Sequence, residues 1–381
     1  MLKGKIDVGE TIFTTMSRLS SECGAINLGQ GFPDYPMDGK LVNLLTQAMH
    51  DGHNQYAPLA GIAPLRKAIA EKIDFLYGLS VDPETEVCVT PGATYAIYTA
   101  FTTVLHEGDE VIVFEPAYDS YIPNIEINGG RPVLIPLSAP DFKIDWERVQ
   151  EAITPRTKMI IINNPHNPSG MLLSTTDMAE LSDIVLGNDL YLLSDEVYEH
   201  LVFDDQRFES VLRYPELFQR SFVTYSFGKV YHCTGWKTGY CIAPGKLMTE
   251  FKKVHQYNAF CCFSPVQFAL ANYLGDKEAY LGLGKFFEPK RDLLESLLSA
   301  VGLKPIPSKG SFFQLYDYSD LSNEDELSYV KRLTVEAGVS AIPVSSFYAD
   351  KRNQGLLRFC FAKEDATLRE AGARLKAFFE S

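Results

Sequence analysis

The sequence offers nucleic acid no excess of positive charge. Its 381 residues carry 35 Lys and Arg against 49 Asp and Glu, a formal net charge of −14, with no dense basic patch. No segment reaches the ~18 unbroken apolar residues of a membrane span. The N-terminus lacks the charged start, apolar run and small-residue cleavage site of a secretory signal. Seven cysteines (23, 88, 233, 241, 261, 262 and 360) form no C-x-x-C pair, and their odd number fits free thiols in a reducing compartment. Adjacent Cys261 and Cys262 read as small core residues, and cytoplasm is the expected location. There is no P-loop, and Gly282-Leu283-Gly284 falls in a helical stretch rather than after a strand, which disfavours a nucleotide-dependent dehydrogenase.

What is present is an ordinary globular balance, 46% hydrophobic and 22% charged, in a chain long enough for two or three domains. Residues 1–25 read as an arm followed by a short helix, and the helical stripe of Leu65, Ile69, Ile73 and Leu76 runs from Pro64 to Gly78. Strands are predicted at Glu86–Thr90, Glu110–Phe114, Lys158–Ile162, Leu190–Ser194 and Phe222–Tyr225, with Met159-Ile160-Ile161-Ile162 apolar on both faces. Helical patterns separate them, including Tyr95–Leu105 and Thr175–Leu186, the latter opened by Ser174 with Asp177 three residues on. Such repeats predict an α/β fold with a three-layer, mainly parallel sheet.

Helices are expected at Lys246–Asn258, Pro265–Leu274 and Pro289–Val301. Strands at Gly310–Tyr316, Val339–Pro343 and Leu356–Phe361, with helices at Leu327–Ala337 and Ala366–Phe379, read as a smaller α+β domain. The expected division is 1–40 as arm and part of the small domain, 41–284 as the large domain and 285–381 as the small one.

In open parallel sheets ligands bind beyond the carboxyl ends of the strands. The first predicted strand is followed by Pro91-Gly92-Ala93-Thr94 and a helix, a turn suited to a phosphate. The others are followed by Tyr118, by Asn167 within Asn163-Asn164-Pro165-His166-Asn167-Pro168-Ser169-Gly170, by Asp195 and Tyr198, and by Ser226 and Lys229. His166 is expected to face solvent. An anion turn, an aromatic, an amide, a carboxylate and an amine at one edge suit a flat phosphorylated ring bearing an aldehyde. Singly, Tyr118 could be core and Asp195 a helix N-cap; together they suit pyridoxal 5′-phosphate, whose aldehyde Lys229 would trap, whose ring nitrogen Asp195 would hold protonated and on whose ring Tyr118 would stack. Asn167 and Tyr198 bond a ring oxygen, while the Gly92–Thr94 turn, Ser226 and Lys237 hold phosphate.

The runs N-P-H-N-P-S-G, S-D-E-V-Y and S-F-G-K…T-G-W-K-x-G-Y, in this order and spacing, resemble class I aminotransferases of the aspartate aminotransferase fold. The likeness extends from Asn27–Asp34 to Leu357–Ala362 and lies nearest the methionine aminotransferase and kynurenine aminotransferase branch, with Asn54–Pro58 and His255–Asn258 also matching. The resemblance implies pyridoxal-phosphate fold type I, Lys229 as the Schiff-base lysine and Asp195 as partner of the ring nitrogen. It assigns phosphate to Ala93, Thr94, Ser226 and Lys237, joined by Tyr56 from the other subunit of a homodimer with shared active sites. Arg358 is implied to pair with the substrate carboxylate, with the Gly31 backbone closing over the substrate. Read from the residues alone, Arg358 would be a surface arginine at a strand edge. Lys237 departs from the wider family, where many members place arginine; a lysine supplies a point charge without the fork.

Phe13 and Phe260 match positions that shape the side-chain pocket in this branch. With no candidate for a second arginine, the expected reaction moves the amino group of methionine, then of aromatic amino acids, to a 2-oxo acid by a ping-pong mechanism. A kynurenine- or glutamine-type aminotransferase, a cysteine-conjugate carbon–sulfur β-lyase and a non-catalytic pyridoxal-phosphate-binding regulator are the alternatives. The expected partners are small molecules and a second copy of the chain, with no nucleic acid, membrane or metal.

Overall fold

The structure is a computed structural model, and it describes residues 9–380; the first eight residues of the arm expected within 1–25 lie outside them. Seven strands form the main sheet: β1 (Val87–Thr90), β2 (Glu110–Glu115), β3 (Arg131–Pro136), β4 (Thr157–Asn163), β5 (Tyr191–Asp195), β6 (Ser221–Ser226) and β7 (Gly239–Ile242). Their order is β1-β7-β6-β5-β4-β2-β3, with β7 alone antiparallel to its neighbours.

Alternation explains why the central strands are apolar throughout. Ile112, Phe114, Ile160, Ile162 and Leu192 enter one core, while Val111, Val113, Met159, Ile161 and Leu193 enter another on the opposite face. β3 is a strand that the sequence reading missed. Pro132 and Pro136 argue against a central strand, but β3 sits at the sheet edge, where a proline's missing N–H costs no ladder bond on the open side.

A four-stranded antiparallel sheet joins Ile342–Pro343, Leu356–Cys360, Phe313–Asp317 and Lys304–Ile306 in that order. The stretch 339–343, expected to be one strand, is divided: Val339–Ser340 pairs with Ile26–Asn27, and Ile342–Pro343 pairs with Arg358 and Leu357. Gly310–Ser311 is not part of the strand predicted there, which begins at Phe313; Gly310 makes only an isolated bridge to Val202. The helix expected to open at Pro289 runs instead from Leu283 to Ser299 with Pro289 inside it. Ser174 and Asp177 form the reciprocal capping box that their spacing predicts.

Candidate active site

A cavity of about 380 Å³ lies where five parallel strands end. β1 leads into Gly92, which caps the helix Ala93–Val104 at φ +82° with no side-chain cap, so the first N–H groups of that helix are free for an anion. β2 supplies Tyr118, β4 supplies Asn163 and Asn167, β5 supplies Asp195 and Tyr198, and β6 supplies Ser226 and Lys229. Because β7 runs the other way, Lys237 just before it falls at the same edge. A Cβ built on Gly92 would lie 3.6 Å from Lys237 Nζ, an ordinary contact, so it is the positive φ rather than space that calls for glycine in this turn beside the lysine.

Lys229 Nζ donates to the Gly31 carbonyl at 2.8 Å and lies 5.7 Å from the Tyr198 ring centroid. Burial pushes its ammonium down to about 8, near the working range of a base. Asp195 is buried, and burial raises its carboxyl to about 6 against the lowering effect of Tyr121, whose hydroxyl donates to Oδ2 at 2.6 Å. Tyr198 is buried, with its ring edge-on to Phe312 and Phe313 at 5.4 and 6.2 Å.

Arg358 sits in the strand Leu356–Cys360 and is 1% exposed, not the surface residue that the local sequence suggests. Its Nη1 donates to Asn167 Oδ1 and its Nη2 to the Gly29 carbonyl, each at 2.8 Å. The guanidinium carbon is 3.8 Å from the Phe313 ring centroid, within cation–π range. With its oxygen engaged, the Asn167 amide keeps its NH₂ as a donor. Phe13 lines the cavity and meets Phe347 edge-on at 5.9 Å. Gly31 borders it so closely that an added Cβ would fall 2.4 Å from Phe313 Cζ.

Ala93 and Thr94 also line the cavity. Tyr56 and Phe260 do not: Tyr56 is 83% exposed and packs edge-to-face with Phe260, half-exposed itself, at 5.3 Å. His166, expected in solvent, is buried and paired with Ser169 Oγ at 2.7 Å; burial depresses it to about 4, so it stays neutral. Tyr121 and Asp119 escaped the sequence reading. Tyr121 lies three residues after Tyr118 at the start of a short helix, Tyr121–Ile127, a placement that gives no sign of a partner 74 residues away.

These side chains fit pyridoxal 5′-phosphate. A free helix N-terminus, two hydroxyls and a lysine suit the phosphate, and a buried carboxylate and an amine held near 8 suit the two ends of the ring. Residues 24–375 match the family described as aminotransferase class I and II. The chain belongs to that family. It is 44% identical over 370 residues to the methionine aminotransferase of Escherichia coli (strain K12), covering 97% of this chain and 96% of that protein. It is 35% identical over 394 residues to kynurenine–oxoglutarate transaminase 1 of Mus musculus, covering 94% and 93%. The crystal structure of YbdL from Escherichia coli, identified with a methionine aminotransferase function, superposes with a TM-score of 0.97 at 44% identity, over 99% of each chain. This aminotransferase therefore has the α/β architecture of the aspartate aminotransferase fold and depends on pyridoxal 5′-phosphate. Among the described residues no helix is long and apolar enough to cross a membrane.

Proposed function

We propose that this transaminase takes the amino group of methionine, and of aromatic amino acids, to a 2-oxo acid, working as a cytoplasmic homodimer with shared active sites. The observation that carries the substrate reading is that, among the described residues, Arg358 is the single arginine lining the cavity, amid Phe13, Phe32 and Phe313. One carboxylate is thus provided for, and the remaining wall suits an apolar side chain. The similarity to the methionine aminotransferase adds weight.

When bound, pyridoxal 5′-phosphate supplies an amine-capturing aldehyde and an electron-withdrawing ring. Lys229 Nζ would take the substrate α-proton and give it back on the far side of the amino nitrogen, acting as base and then acid. Asp195 holds the ring nitrogen protonated, and Tyr118 stacks on the ring face. The Asn167 amide and Tyr198 hydroxyl hold the ring oxygen. Ala93, Thr94, Ser226 and Lys237 hold the phosphate, with Tyr56 reaching in from the partner subunit and Phe260 shaping the pocket beside it. The Gly31 backbone closes over the substrate. Residues 41–284 act as the cofactor-binding unit, and 285–381 with the first 40 as the unit that brings Arg358.

Steady-state kcat/KM across amino donors tests the substrate. Methionine is expected to lead; aspartate exceeding it by ~10-fold, about 1.4 kcal/mol in transition-state binding, overturns the reading.

Exposed Tyr56, Tyr257, Phe260 and Phe263 support the dimer, since such apolar surface favours a partner. Mixing Tyr56→Ala chains with inactive Lys229→Ala chains under subunit exchange is expected to regenerate about one quarter of wild-type sites, because each mixed dimer carries one site free of both lesions. A mixture no more active than the mean of its components would exclude the shared site.

Tyr121→Phe probes Asp195. The lost bond favoured the ionised carboxylate, so its pKa is expected to climb above about 6. Activity needs the carboxylate and fails as pH falls through that value. The acid limb of the pH profile should therefore move up by about one unit, the equivalent of one hydrogen bond to a charged group. A limb that stays in place would separate Asp195 from the reaction.

A further inference from the structure

Arg358 and Asp119 are two opposite charges in one cavity that do not pair. Arg358 spends Nη1 and Nη2 on Asn167 and the Gly29 carbonyl, its Nε has no partner, and no acid among the described residues forms an ion pair with it. Asp119 lines the same cavity, half-buried in the turn between Tyr118 and the helix Tyr121–Ile127. No lysine, arginine or histidine among the described residues forms an ion pair with it. The two groups nevertheless sense each other: burial raises the Asp119 carboxyl while the charge of Arg358 lowers it. The other carboxylate lining the cavity, Asp195, is engaged by Tyr121 and consigned to the ring nitrogen.

The cavity thus holds one arginine free to meet one carboxylate, and one carboxylate with nothing to meet. We propose that Asp119 is a specificity-determining residue that rejects substrates carrying a second carboxylate, of the aspartate and glutamate type, while admitting neutral side chains. The inference rests on the reading above, in which Arg358 takes the substrate carboxylate. A second carboxylate entering this cavity finds no further arginine among the described residues and is repelled by a half-buried anion, whose charge is screened less than in open water. A neutral side chain meets no such repulsion and rests on Phe13 and Phe313. The same restriction falls on the accepting 2-oxo acid.

The test uses the holoenzyme and two unreactive ligands without an amino group, glutarate and hexanoate, with dissociation constants measured by titration calorimetry. The wild type is expected to prefer hexanoate at least tenfold. Asp119→Asn should cut that preference about tenfold, chiefly by tightening glutarate, a change of the size expected for two like charges about 12 Å apart at an effective dielectric constant of about 20. Asp119→Glu, which restores the charge, should restore the preference; a merely structural role would not follow the charge in this way. Equal preference in wild type and Asp119→Asn, or its loss in both variants alike, would overturn the proposal. Neither ligand turns over. A preference that follows the charge in an enzyme idle with methionine would therefore uphold the role of Asp119 and remove methionine as the donor.

Discussion

Replacing Lys229 with alanine is expected to reduce kcat by about 10⁴ or more, since one positioned acid–base group contributes up to about that factor and, in the role proposed for it, the same amine would also anchor the cofactor. The environment of this amine is what makes it reactive. An ordinary lysine at pH 8 is neutral in roughly one molecule in three hundred, whereas one brought down to about 8 is neutral in about half. The cause is burial, outweighing the attraction of Asp195, while Arg358 adds a further lowering. The fall in kcat should appear in each half-reaction when followed by stopped flow, together with loss of the absorbance of the lysine-bound cofactor. Lys229→Arg should fare no better, because an arginine stays charged where a base is needed. Full transamination by either variant would remove Lys229 from the chemistry.

Much of the site was legible because strand ends are legible. An apolar run followed by Gly, Asn, Asp or Ser-x-x-Lys marks both the strand and what it delivers. β1, β2, β4, β5 and β6 bring Gly92, Tyr118, Asn167, Asp195 and Lys229 to one cavity as that rule predicts. What escaped depends on contacts distant in sequence. Tyr121 reaches Asp195 across 74 positions, and Arg358 reaches Asn167 across 191. Neither has a local pattern: Arg358 lies within a strand whose five residues are all buried, and only family likeness singles it out. β3 escaped for the opposite reason, since its prolines carry a local signal against a strand that the edge position overrides. The break within Val339–Pro343 is likewise invisible locally, because it is set by which partner each half finds, Ile26–Asn27 or Leu357–Arg358.

Arg358→Lys is expected to lower kcat/KM for methionine by about 10² to 10³, the range for weakening a buried, hydrogen-bonded charge pair. Charge is kept in this variant, so electrostatics alone predicts little change. Geometry predicts much more. The guanidinium does three things at once: it bonds Asn167 Oδ1, bonds the Gly29 carbonyl and lies 3.8 Å from the Phe313 ring centroid. A lysine ammonium has no planar fork with which to hold these contacts and still meet a carboxylate in two parallel bonds. It also leaves Asn167 less firmly held, and the Asn167 amide is the group assigned to the ring oxygen. The loss should therefore divide. A rise in KM reports the weaker grip on the substrate carboxylate, and a smaller fall in kcat reports the loosened Asn167. Asn167→Ala made in the Arg358→Lys background should cost less than in the wild type, because residues that share a hydrogen bond do not add. Strict additivity of the two substitutions would show that Arg358 acts on the substrate alone.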